Sequence, residues 1–128
     1  MRSLVENGSK DVEAQVFGTR KSAATRKALR FFSERHVKAH FVDFSVRGPS
    51  PGELRRFAAK FGIASLIDRQ ARRFLELGLT HATHADAWWE ETLVREPGLL
   101  RIPLVRCGHR LSVGLAEAEW NAWLGGSS

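Results

Sequence analysis

The chain has 128 residues, 43% of them hydrophobic, which is enough apolar material for one domain with its own core and no disulfide staples. Its single cysteine, Cys107, excludes an internal disulfide, and no Cys/His grouping has structural-zinc spacing, so a reducing, cytoplasmic setting is expected, without metal or cofactor. No segment approaches a membrane span, the N-terminus lacks the apolar run of a signal peptide, and no membrane contact is expected. The formal net charge of +6 is unevenly spread: 13 basic residues face 6 acidic ones through Gly62, and 7 face 8 after it. From Arg20 to Lys38 seven basic residues are opposed by Glu34 alone. No base-reading motif accompanies them, so the charge implies at most weak, nonspecific binding to nucleic acid; its ordinary alternative is a solvated helix face.

In chain order, residues 1–11 are polar, include Asn7-Gly8-Ser9, and are expected to form a flexible lead-in to a single domain over 12–124. Val12 to Phe17 reads as a short strand ended by Gly18. Ser22 is a candidate N-cap for a helix from Ala23 to Arg35. At about 100° per residue, Ala24, Ala28, Leu29, Phe31 and Phe32 share one face while Arg26, Lys27, Arg30 and Glu34 take the other. A loop feeding a helix N-terminus gathers unpaired N–H groups at the positive end of the helix dipole, which suits an anion or a thiolate. This loop carries hydroxyls, Ser22 and Thr25, and no thiol.

His40 to Phe44 fits a second strand, and strand, helix, strand at this spacing predicts a right-handed βαβ unit with parallel strands. Gly48-Pro49-Ser50-Pro51-Gly52 breaks the chain; Ser50 as N-cap, Pro51 at the first helical position and Glu53 in the first turn then start a helix. Leu54, Phe57, Ala58 and Phe61 mark its buried stripe, and Gly62 ends it. Ile63 to Leu79 reads as short helical pieces carrying Arg69, Arg72 and Arg73, and His84 to Arg95 as a helix packed through Trp88 and Trp89. Leu99 to Arg106 is an apolar run whose Pro103 belongs at a strand entrance or edge. Cys107-Gly108-His109 reads as a hairpin turn, Arg110 to Val113 as the returning strand, and Ala116 to Leu124 as a last helix with Trp120, Trp123 and Leu124 facing in. Residues 125–128 are expected to be a frayed tail. The sum is an α/β fold: a four-stranded mixed sheet with helices on both faces.

This β-α-β, helices, β-β-α order, with a proline entering the third strand, resembles the thioredoxin fold with a helical insertion at about 51–96. The wording of the chain resembles the ArsC/Spx family of arsenate-reductase-like proteins. The resemblance rests on Val16 to Phe32, which is similar to the family's strand, active-site loop and Arg26-Lys27-Ala28 helix, on Leu66-Ile67-Asp68-Arg69, and on Glu96-Pro97-Gly98-Leu99-Leu100-Arg101 through Val113-Gly114. It implies that Pro103 is the cis-proline facing the active-site loop.

The departures bear on function. The family's reductases carry a nucleophilic cysteine at the position of Ser22, and Spx regulators a cysteine pair at those of Ser22 and Thr25. A serine hydroxyl is a far poorer nucleophile near neutral pH and forms no sulfur adducts or disulfides. The family's arginine before the cis-proline is Ile102 here, with Arg101 adjacent; Arg69 matches a family arginine, and Val113 stands where the arsenate reductases have another. The resemblance thus implies a degenerate thiol site, a pseudoenzyme that acts as a binding or regulatory module with a protein partner and no confident catalytic residue. Weak oxyanion binding would use Ser22, Ala23, Ala24, Thr25, Arg69 and Arg101. The alternatives it carries are an arsenate reductase-like or glutathione-linked thiol oxidoreductase, and an Spx-type transcription regulator contacting RNA polymerase. Cys107 is expected to be an ordinary exposed thiol beside Arg106 and His109; His81 and His84 lack a third metal ligand, and Ser22 lacks a G-x-S-x-G turn.

Overall fold

A computed structural model describes residues 13–125; the expected lead-in, Val12 and the last three residues of the expected tail lie outside them. Four strands form one sheet in the order β2-β1-β3-β4, with β1 at Glu13–Gly18, β2 at Lys38–Asp43, β3 at Leu104–Cys107 and β4 at Arg110–Val113. β1 pairs with β2 in parallel, from Glu13 opposite Lys38 to Gly18 opposite Asp43; β1–β3 and β3–β4 are antiparallel. This is the thioredoxin-like arrangement expected from the element order.

Strand alternation divides the core between the two faces. Ala14, Val16 and Val105 point to one face, where they meet Ala28, Phe31 and Phe32 of α1 (Ala23–Glu34) and Trp120. Trp120 is fully buried, with its ring centroid 5.3 Å from that of Phe31 and 5.4 Å from that of Phe32. Its indole N–H donates to Ser112 Oγ at 2.7 Å, so burying the ring leaves its polar atom satisfied.

Phe17, Phe44, Leu104 and Leu111 point to the other face, against α2 (Pro51–Phe61), α3 (Arg72–Glu76) and α4 (Asp86–Arg95). Ser50 caps α2 by accepting from the Glu53 N–H at 3.1 Å, and Leu54 and Phe57 are its buried stripe. Two 3-10 turns, Ile63–Leu66 and Pro97–Leu99, follow α2 and α4 respectively. Arg73 holds Glu96 through two hydrogen bonds, 2.8 and 3.1 Å, and Glu76 through one of 3.2 Å, which ties α3 to the second of these turns. The Arg73 guanidinium keeps the Glu96 carboxyl below the usual carboxylate range. The last helix, α5, is Glu117–Trp123, shorter at its start than the expected Ala116.

The hairpin differs from its sequence reading. Cys107 is the last residue of β3, paired with Arg110, and the turn is Gly108-His109 alone. Gly108 has φ +65°, the left-handed conformation that a two-residue hairpin turn requires.

Candidate functional site

The site forms where β1 runs out. Gly18 C=O accepts from the Phe44 N–H at 2.8 Å, and the chain then turns back, Ser22 N–H donating to Thr19 C=O at 3.2 Å. Ser22 is the N-cap of α1: its backbone is extended (φ −77°, ψ 120°) and its Oγ accepts from the Thr25 N–H at 3.1 Å. Its carbonyl accepts from the Arg26 N–H at 3.0 Å. The N–H groups of Ala23 and Ala24 remain as first-turn donors without a partner among the described residues, at the positive end of the helix dipole.

The second hydroxyl is elsewhere than expected. Thr25 is fully buried, and its Oγ1 has no hydrogen-bond partner among the described residues. That hydroxyl lies against Gly18, so closely that a β-carbon on Gly18 would overlap it and come within 2.9 Å of Thr25 Cγ2. Thr25 therefore belongs to the core under the loop and offers the loop only its N–H. The signal was present in the spacing, because Thr25, Ala28 and Phe32 stand at i, i+3 and i+7 on the buried face of α1.

Register places Pro103 at the same end of the sheet. Phe17 pairs with Leu104, so the next antiparallel pair is Gly18 and Pro103. The Ile102–Pro103 peptide is cis, and Pro103 C=O accepts from the Gly114 N–H at 2.8 Å. The strip leading to it is held by the insertion: Asp68 N–H donates to Leu99 C=O and Arg101 N–H to Leu66 C=O, both at 2.8 Å, around a bridge between Ile67 and Leu100.

Arg69 and Arg101 thus leave two paired segments side by side. The Arg69 guanidinium sits 5.5 Å from the Phe74 ring centre, and the Arg101 stem passes beside Gly114. Neither arginine has an ion pair or hydrogen bond to another side chain among the described residues. Ile102 and Val113, where the resemblance implies oxyanion arginines, are instead half-buried and pack against the larger core cluster.

The remaining candidates lie apart from this loop. Cys107 ends β3 about 13 Å along the strand from Pro103, at ~3.3 Å per residue. It is half-buried, not an exposed turn residue; burial pushes its thiol up, and the nearby Arg110 pulls it partly back. The His84 ring stacks on Trp88 with centroids 3.5 Å apart, and among the described residues no group of three His, Cys, Asp or Glu side chains is placed to hold a metal. No helix among them is long and apolar enough to cross a membrane.

The family model of the ArsC family matches residues 17–123. No curated protein matches the chain. Among solved structures, it is similar to a YffB protein (24% identity, 87% of this chain and 98% of the other covered, TM-score 0.79). It is also similar to an ArsC family related protein from Bacteroides fragilis (17%, 86% and 96%, TM-score 0.78) and to an arsenate reductase from Vibrio cholerae (17%, 84% and 94%, TM-score 0.74). At these identities the structural likeness is one of fold.

Proposed function

The chain belongs to the ArsC family, and we propose that within it this protein is a non-catalytic, cytoplasmic binding module whose site keeps the shape of a thiol centre without its chemistry. The observation that carries this reading is Ser22. A hydroxyl stands where the resemblance implies a thiolate, and its oxygen is engaged as the acceptor that caps α1. Thiol redox chemistry needs a sulfur that attacks, forms an adduct and is released by a second thiol, and a serine oxygen supports none of these steps. Ile102 and Val113 support the same reading, because arginines at those positions would have brought the charge that holds an oxyanion for reaction.

What the loop retains suits binding. Ala23 and Ala24 N–H groups, the helix dipole and the Ser22 hydroxyl favour a small oxyanion such as sulfate or phosphate, with Arg69 or Arg101 as the cationic side. With two arginines fewer, the affinity is on the order of millimolar, about 4 kcal/mol. The larger partner is a protein. Duplex DNA is bound weakly at low salt, without sequence preference, and released toward physiological ionic strength.

The test is arsenate reduction by the purified chain with glutathione and glutaredoxin, or thioredoxin, as electron donor. Turnover no greater than that of a heat-inactivated sample is expected. Turnover well above it, abolished in Ser22→Ala, would make the protein a reductase and overturn the proposal.

A further inference from the structure

The edge of the sheet at β2 carries an unused hydrogen-bonding row. Phe44 N–H donates to Gly18 C=O, which fixes the parallel ladder so that His40 and Val42 turn both backbone groups toward β1. Ala39 and Phe41 therefore turn their N–H and C=O groups outward, as does Asp43 its N–H, while the Asp43 C=O closes the following turn on Val46 and Arg47. No strand lies beyond β2 among the described residues, and such a row is a template for another strand.

The side chains along this edge define what fits it. In register, Ala39 and Phe41 stand opposite Ala14 and Val16, on the α1 face of the sheet. There a groove of about 590 Å³ runs between α1 and the edge, lined by Leu29, Ser33, His36, Val37, Lys38 and Ala39. Alternate side chains of an added strand would point into it, and Leu29 and Val37 make its floor apolar. The charge around it is positive. The Arg20 guanidinium lies 4.7 Å above the Phe41 ring, Arg26 donates to the Arg20 carbonyl at 2.6 Å, and Lys38, in register with Glu13, borders the groove at the start of the strand. None of these three is in an ion pair among the described residues. The acid on this side, Asp43, stands two residues from Phe41; its carboxylate is hydrogen-bonded to Ser45 and also feels the Arg20 charge, which leaves Arg26 and Lys38 as the cations with no acid beside them on this side, and Glu13 is paired with His40 on the opposite face.

We propose that the free edge of β2 is a docking site for an extended, acidic peptide segment of a partner protein, which adds as a fifth strand and seats an apolar side chain against Leu29 and Val37. Backbone pairing supplies the affinity, the groove and the cations the selectivity. A second copy of this chain is disfavoured, because antiparallel edge-to-edge pairing centred on Phe41 would bring Arg20 and Arg26 against the same two cations of the copy. The site borders the Ser22 loop through Arg20 and Arg26 but uses neither the Ser22 hydroxyl nor the Ala23 and Ala24 N–H groups, and it stands whether or not the protein reduces arsenate.

The test is titration of the ¹⁵N-labelled full chain with a capped peptide of about six residues alternating glutamate and valine. Its counterpart with every valine replaced by proline has the same charge and cannot continue a ladder. Saturable shifts centred on the Ala39, Phe41 and Asp43 amides are expected, with binding about tenfold weaker for the proline peptide and for Lys38→Glu. Ala39→Pro removes one outward donor and no β1–β2 bond, and should weaken binding similarly if circular dichroism shows the fold kept; Lys38→Glu carries the test if it does not. Equal binding of both peptides, shifts confined to the Arg26 and Arg30 region, or no saturable binding would overturn the proposal. Dimerisation of the chain alone through the same three amides would overturn the acidic partner in favour of a second copy.

Discussion

The two faces of the sheet hold the two halves of the proposed site by different means. Under α1 and α5 the core is seven of the described residues, and its bulk is three rings in mutual contact, Phe31, Phe32 and Trp120. On the other face fifteen of the described residues, from α2, α3, α4, the 3-10 turns, the strands and the segments that join them, form a broad, leucine-rich cluster. The first face carries α1 and with it Ser22, Ala23 and Ala24. The second carries the paired segments that end in Arg69 and Arg101, tied by backbone hydrogen bonds and by the Arg73–Glu96 clamp. The hydroxyl half of the site thus depends on a few large contacts, and the cationic half on many small ones. A single deletion should be felt differently on the two sides.

The largest effect is expected from Trp120→Ala, which removes the ring that holds α1 to the sheet and leaves Ser112 Oγ buried without its donor. It should cost about 3–5 kcal/mol in denaturant unfolding, a large share of the ~5–15 kcal/mol typical of a domain, and it should broaden the Ser22–Arg26 amide signals. Leu93→Ala on the other face, also from a fully buried position, should cost ~2–5 kcal/mol and leave those amides in place. If both variants disturb the loop alike, the two faces respond as one unit.

A smaller effect sharpens the seam between them. Gly18→Ala drives a methyl into the buried Thr25 side chain and should destabilise by about 1–3 kcal/mol. Thr25→Val keeps the shape and removes a hydroxyl that has no partner among the described residues, so stability should hold within ~1 kcal/mol or rise. A loss well beyond that in Thr25→Val would mean that the hydroxyl has a partner after all.

Much of this was legible from the residues. The aromatic stripe of α1, the Ser50-Pro51 start of α2 and the Gly108 turn each carry a local signal, a period, a cap or a left-handed glycine, that needs no tertiary partner. What could not be read depends on contacts between distant segments. Thr25 looked like a site hydroxyl because its residue type suggested the loop, whereas its spacing with Ala28 and Phe32 assigned it to the core. Nothing local announces that Leu66 to Asp68 lies beside Leu99 to Arg101, or that Arg73 reaches across to Glu96. Cys107 looked exposed because glycine and histidine follow it, yet its place at the end of β3 half-buries it.

The smallest predicted effect concerns that cysteine. Burial raises its thiol above the ordinary value, so at pH 8 less of it is thiolate than of a free thiol. Cys107 should be alkylated by iodoacetamide more slowly than glutathione under the same conditions, the rate still climbing with pH where glutathione has levelled off. Alkylation faster than glutathione would mark it as an activated thiol and reopen a redox role remote from Ser22.

We propose that the loop at the start of α1 is a binding site that has kept its donors and lost its nucleophile. Sulfate titration followed by amide NMR tests it most directly. Weak, saturable shifts, on the order of millimolar and largest from Ser22 to Arg26, are expected. If those amides stay still while the signals of Arg55, Arg56 or Lys60 move, the loop is only a capped helix start and the anion is responding to surface charge.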